Sequence, residues 1–253
     1  LGPKLQSIHE VPQWQIQSLV ETHLQRIFIP SERDLDIIQV ILHLIIAHYR
    51  RSYSTNTQYL QDVYANRGSA FDDVVPPICL TGPAGVGKST LAKAFLRRVA
   101  AQQRVDIGSR HHINVERVLH RSVAGLESPL GVCSSFERPL VGNAEKRTTL
   151  ERVTKRNAQV AFRDCSGLII VDELQSMSTS ANASTLLTKT ITHVALIGVP
   201  VVIIANYSAI HKLLSRPQEQ VDRLLRSPEI LWPYIDGSVD WLAHLSHIRA
   251  SLD

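Results

Sequence analysis

The chain has 253 residues, 44% hydrophobic and 20% charged, with a formal net charge of +4. That is an ordinary globular balance, enough to bury an α/β core and one smaller element. The most apolar stretch, Leu35 to Ala47, is broken by Asp36, Gln39 and His43 and is too short and polar to span a bilayer.

Three cysteines, Cys79, Cys133 and Cys165, lie far apart without metal-ligand spacing, and eleven histidines are scattered along the chain. The odd cysteine count predicts a reducing cytoplasm. No signal peptide is visible, and the leading Leu1 predicts a processed, tagged or trimmed chain. Charge is uneven: from Arg97 to Arg163 there are 13 Lys/Arg against 6 Asp/Glu.

In chain order, Leu35, Ile38, Leu42, Ile45 and Tyr49 recur at helical spacing, with Ser31 as N-cap and Glu32 and Asp34 in the first turn. A second short helix is expected over 58–65. Together they make residues 1–74 an N-terminal helical extension.

Pro77 to Thr81 reads as a short apolar strand. Gly82-Pro83-Ala84-Gly85-Val86-Gly87-Lys88-Ser89 follows, and a helix opens at Thr90. Strand, glycine loop and helix form a phosphate cradle. The glycines turn backbone N–H groups inward, and the helix N-terminus adds its positive dipole. Pro83, Ala84, Val86 and Thr90 belong to the same contact set. Lys88 would reach the β/γ-phosphates of ATP, and the Ser89 hydroxyl would hold Mg²⁺.

Strands are expected at 78–80, 118–123, 168–171 and 201–205, and a fifth at 230–232. The run Gly167 to Glu173 is apolar and ends in two carboxylates, as in a strand buried on both faces of a parallel sheet. At the sheet's C-terminal edge they sit beside the phosphate loop. Asp172 would bind Mg²⁺ and Glu173 would polarise the attacking water. The β-branched run Ile197 to Ala205 ends at Asn206, which could hold that water between Glu173 and the γ-phosphate. The α/β core then covers 75–232. Residues 233–253 carry one amphipathic helix, with Val239, Leu242, Leu245 and Ile248 in line, the start of a helical lid cut short.

The order of these motifs resembles that of AAA+ ATPases. The strings Leu168 to Ser178 and Ile197 to Ile204 further resemble the TnsC/TniB group of transposition regulators, with MuB a more distant relative. The resemblance covers about residues 25–235. It implies a three-layer αβα core around a central parallel sheet. It also implies ATP-dependent assembly on duplex DNA as a ring or helical homo-oligomer. A transposase and a target-selection protein would be its partners, and hydrolysis would control disassembly. Asn206 stands where these proteins often have Thr. The segment Glu219 to Arg226 resembles their arginine-finger region, so Arg223 or Arg226 would act on a neighbour's nucleotide; at i and i+3 one helical face could present both. Arg121, Lys146, Arg147 and Thr148 fall where the family places its DNA loops, with Asn143 alongside and Arg152, Lys155, Arg156 and Arg163 on the helix that follows. Such side chains suit phosphate oxygens and carry little sequence information.

Two other functions share the same first motif. A helicase loader or replication initiator would also be a DNA-associated AAA+ ATPase. A small-molecule kinase would need an acceptor pocket and mobile lid, whereas the Asp172–Glu173 pair points to water activation. A switch that never hydrolyses is disfavoured by Glu173 and the two arginines.

Overall fold

The computed structural model describes residues 12, 15, 28–53, 55–64, 75–99, 104–106, 112–114, 116–137, 148–179 and 182–252. The chain divides into two compact units, residues 1–36 with 232–253, and residues 37–231.

The larger unit is built on a five-stranded sheet of β1 (Ile78–Thr81), β4 (Val118–Ser122), β5 (Leu168–Asp172), β6 (Val201–Ile204) and β7 (Arg226–Ile230). Its order is β4-β5-β6-β1-β7, and every pairing is parallel. A separate hairpin, β2 (Arg104–Asp106) with β3 (His112–Asn114), was not legible in the sequence. The fifth strand was expected at 230–232; it begins earlier, at Arg226.

Period-two alternation explains why these strands are apolar throughout. Cys79, Ile169, Val171, Val201 and Ile203 join one core cluster. Their alternates Ile78, Leu80, Leu168, Ile170, Val202 and Ile204 are equally buried. Both sheet faces are therefore covered, giving the three-layer α/β architecture. The crossover helices are α3 (Lys88–Val99), α4 (Pro129–Ser134), α5 (Leu150–Arg163), α6 (Ala183–Ala195), α7 (Tyr207–Leu214) and α8 (Gln218–Leu224). A 3₁₀ helix, Leu174–Thr179, follows β5 directly.

Two helices precede the sheet, α1 (Glu32–Ser52) and α2 (Asn56–Tyr64). Ser31 caps α1 as expected. Its Oγ accepts from Asp34 N–H at 3.1 Å, while the Asp34 carboxylate accepts from Ser31 N–H at 2.9 Å, a reciprocal capping box. The buried stripe differs from the expected one. It runs Asp34, Ile37, Ile41, Ile45 and His48, whereas Leu35 and Leu42 are exposed. Apolar residues occupy most of the helix circumference, and the polar ends of the true stripe hid it.

From Ile37 onward these helices belong to the same compact unit as the sheet. The cause is a set of tyrosines. Tyr49 donates to Cys165 O at 2.8 Å, Tyr53 to Phe162 O at 3.3 Å and Tyr59 to Arg163 O at 2.5 Å. They dock on carbonyls at and just beyond the C-terminus of α5, adding to the bond that Phe162 O already accepts from Cys165 N–H. Tyr53 also stacks on Phe162, ring centroids 5.4 Å apart. A Cβ on Gly167 would lie 2.7 Å from the Tyr49 hydroxyl, so this glycine lets the clasp close at the entry to β5.

His48 gives the clasp a pH dependence. It is 2% exposed, and burial, reinforced by Arg51 and opposed by an interaction with the Ser166 backbone that favours the protonated ring, lowers its pKa to about 4. The unfolded chain takes up this proton near pH 6.5, before the native state does. The associated stability is complete above pH 6.5 and lost as pH falls from 6.5 to about 4, about 3 kcal/mol in all. In urea titrations across that window, His48→Leu should lose less stability than the wild type. Parallel pH profiles for the two proteins would assign the titration to another group.

In the smaller unit, α9 (Val239–Leu252) is the expected C-terminal helix. Val239, Leu242 and Leu245 are exposed, so its expected apolar stripe is not packed among the described residues. Also among these, no helix is long and apolar enough to cross a membrane.

Candidate functional site

The site lies where β1, β5 and β6 end at one edge of the sheet. Beyond Thr81 the chain turns through Gly82–Gly87 into α3. Gly82 has φ +149°, and a Cβ there would lie 2.2 Å from Leu231 O. Only glycine fits between the loop and the chain leaving β7. Gly87, with φ +98°, makes the final left-handed turn, and its carbonyl accepts the first α3 bond from Leu91 N–H at 2.8 Å.

Lys88 folds back along the loop, its ammonium donating to Gly82 O at 3.0 Å and Pro83 O at 2.7 Å. Burial pushes its pKa below the usual lysine range, and the nearby charges of Glu173 and Asp172 oppose the shift. The three groups therefore share one electrostatic environment, although Glu173 lies 85 positions along the chain from Lys88.

Asp172 closes β5 and is 4% exposed. Its Oδ1 accepts from Ser89 Oγ at 3.1 Å and from Glu173 N–H at 2.8 Å. His120, on the neighbouring β4, brings Nε2 to 3.9 Å from Oδ2, an electrostatic contact beyond hydrogen-bond length. Burial alone would raise the Asp172 carboxyl; His120, the Ser89 hydroxyl and the Glu173 amide outweigh it and hold the group below the usual aspartate value. An ionised carboxylate against a serine hydroxyl is a hard oxygen pair, suited to Mg²⁺. With the inward loop and its lysine, these residues fit a Mg²⁺-bound nucleoside triphosphate.

Glu173 has φ +65°, left-handed for a non-glycine residue. Such a backbone costs of order 1–3 kcal/mol and concentrates at functional sites. Two contacts hold it: its carbonyl accepts from Ser176 N–H at 3.0 Å, and its Oε2 accepts from Gln175 Nε2 at 2.5 Å. Asn206 follows β6 at the N-cap of α7, yet its side chain makes no capping hydrogen bond. An asparagine at an N-cap ordinarily makes that bond, so the Asn206 amide is not engaged in capping α7.

A family model described as "AAA domain" matches residues 76–214, more than half of the chain. The chain belongs to the AAA domain family. Its nucleotide loop, acidic strand end and Asn206 all fall within the matched AAA segment. A comparison with curated proteins found no match. Among solved structures, the Aeropyrum pernix ORC1 protein in complex with DNA matches at 19% identity and TM-score 0.48, over 77% of this chain and 48% of that one. The Aeropyrum pernix ORC2 protein, in ADPNP–ADP complexes, matches at 17% and 0.47, over 78% and 50%. Drosophila ORC bound to AT-rich DNA and Cdc6 matches at 14% and 0.40, over 89% and 71%. The chain thus spans about half the length of the two Aeropyrum proteins.

The other expected residues fare differently. Arg223 lies in the last turn of α8, but the helix ends at Leu224 and Arg226 is the first residue of β7, paired with Ile78. One helical face cannot present both. The half-buried Arg121 donates through Nε to Ser135 O at 2.7 Å and through Nη1 to His120 O at 2.8 Å, and lies over the Phe136 ring. Those bonds brace the end of α4 on β4, so Arg121 is a structural tie where a phosphate contact was expected. Asn143, Lys146 and Arg147 lie outside the described residues. Thr148 is half-buried just before Thr149, which caps α5. On α5, Arg156 pairs with Glu137 at 2.9 Å and the exposed Arg163 with its neighbour Asp164 at 3.3 Å; Arg152 and Lys155 are exposed as well. His120 and Gln175 were missed. The first needs the β4–β5 register to be seen, whereas Gln175 stood in plain view two residues beyond Glu173.

Proposed function

We propose that this AAA protein hydrolyses ATP with Mg²⁺ while assembled on duplex DNA. The convergence of Lys88, Ser89, Asp172 and Glu173 at one sheet edge carries the reading. Lys88 and the loop N–H groups would bind the phosphates, and Ser89 and Asp172 would hold the Mg²⁺, which supplies charge neutralisation at the β/γ oxygens. Glu173 would orient and deprotonate the attacking water, with Asn206 as a second polar contact.

Assembly enters through Arg223. A guanidinium offered by a neighbouring subunit can raise hydrolysis by about 10³–10⁵. Its place at the end of α8 suits that role better than the strand position of Arg226. Arg223→Ala should lose turnover in the assembled state while a lone subunit still binds ATP. Mixed with Glu173→Gln, it should regain part of the activity, since each subunit supplies what the other lacks. A full wild-type rate in Arg223→Ala would place the finger elsewhere.

DNA binding rests on the excess of basic residues between the two nucleotide motifs. Lys146 and Arg147 remain its first candidates, with Thr148 as a neutral donor and Arg152 and Lys155 next. The test is duplex binding against salt with ATP present. Lys146→Ala/Arg147→Ala should weaken binding to all duplexes and flatten the log–log slope by about 2. An unchanged slope would transfer the DNA surface to Arg152 and Lys155; no duplex binding under any nucleotide condition would end the DNA reading.

Two cellular roles fit such an ATPase. The strings Leu168 to Ser178 and Ile197 to Ile204 resemble those of the TnsC/TniB transposition regulators and support recruitment of a transposase. A replication initiator or helicase loader is the second reading, since either would also be a DNA-associated AAA+ ATPase. ATP-dependent stimulation of a transposase by this protein would decide for the first, and its absence alongside loading of a helicase would decide for the second.

A further inference from the structure

The acid that would activate water is not left to find its own direction. Gln175, two residues beyond Glu173 at the start of the 3₁₀ helix, donates through Nε2 to Glu173 Oε2 at 2.5 Å. The other end of the same amide, Oε1, is buried and accepts no hydrogen bond among the described residues. That end is closed to solvent, so the amide acts through its bond to Glu173. The Glu173 backbone is already fixed by its left-handed φ and by the Asp172 and Ser176 contacts. The side-chain amide therefore sets the remaining freedom, the rotation of the carboxylate.

We propose that Gln175 is a positioning residue for hydrolysis, tying Glu173 Oε2 with its N–H so that Glu173 Oε1 faces the attacking water. This rests on Glu173 being the base. In the step it serves, the water oxygen bonds to the γ-phosphorus as the bond to the bridging oxygen breaks. The electron pair goes to that oxygen, and the water proton passes to Glu173. Gln175 acts through Glu173 and exchanges no proton.

Gln175→Met keeps length and bulk and removes both hydrogen-bonding atoms. Gln175→Glu keeps the acceptor, loses the donor and sets a second negative charge against Glu173. In the full-length protein, kcat should fall about 10- to 100-fold in the Met variant, the cost of a misaligned reacting pair. It should fall at least as far in the Glu variant, with KM for ATP and the melting temperature within error of the wild type. The deciding measurement is a double-mutant cycle by single-turnover hydrolysis of labelled ATP. If Gln175 acts through Glu173, adding Gln175→Met to Glu173→Gln should change the residual rate less than twofold. Equal slowing in both backgrounds, or a wild-type kcat in Gln175→Met, would overturn the proposal. Wild-type turnover in Glu173→Gln alone would instead remove the base assignment beneath it.

Discussion

Lys88→Ala should lower ATP affinity by about 100-fold or more and abolish every nucleotide-dependent assembly. Removing one partner of a buried, hydrogen-bonded charge pair costs about 2–5 kcal/mol, and tenfold in affinity corresponds to about 1.4 kcal/mol. The position magnifies the loss. Lys88 is 8% exposed and its ammonium rests against Gly82 O and Pro83 O, so its charge is already partly desolvated before phosphate arrives. Burial depresses its pKa, and the charges of Asp172 and Glu173 oppose that shift. In the alanine variant those two carboxylates would face the phosphates without the cation between them. The folded state itself should survive, because the lost group is a cation that was costly to bury. Calorimetric titration and the ATP-induced shift in melting temperature should agree, the second vanishing with the first. Lys88→Arg should not rescue, since a planar fork cannot replace a compact ammonium in a loop closed by two carbonyls. ATP affinity equal to wild type in Lys88→Ala would move the nucleotide off this loop.

What could be read from the chain and what could not divide along physical lines. The phosphate loop, the acidic strand end and Asn206 were legible because each is local: the loop between an apolar strand and a helix start, the others ending apolar runs. Chain-wide periodicity also placed the core strands and the Ser31 cap. Three failures needed partners distant in sequence. The buried stripe of α1 includes Asp34 and His48, polar residues that become tolerable only through the Ser31 box and the packing near Ser166. Arg121 looks like any exposed basic residue until Ser135 and Phe136 close over it. Arg226 has helical spacing from Arg223, yet pairing with Ile78 at the sheet edge overrides the local pattern. Gln175 is the opposite case: its neighbour was known, but two residues of separation on a 3₁₀ turn say nothing of where an amide points until the backbone of Glu173 is known to be left-handed.

That left-handed glutamate carries the second large expectation. Glu173→Gln should reduce ATP hydrolysis by about 10²–10⁴, the usual worth of a positioned general base, while nucleotide binding stays within a few-fold of wild type. Glutamine has the same length and branching, so the φ of +65° and the carbonyl contact to Ser176 should persist without added strain. What changes is charge. The amide cannot take a proton from water, and Gln175 then meets a neutral oxygen in place of a carboxylate. Binding gains slightly if anything, because one of the two acids beside the phosphate site is neutralised while Asp172 and Ser89 remain to hold the metal. Binding and turnover should therefore separate: labelled ATP retained, phosphate release lost, and assemblies on duplex DNA that outlast those of the wild type. The Lys88→Ala protein should fail earlier, binding nothing and assembling nothing. Placing the two variants in sequence tests the order of events, nucleotide first and hydrolysis last. If Glu173→Gln releases phosphate at the wild-type rate, the strained backbone at this position serves another purpose and the base lies elsewhere on the sheet edge.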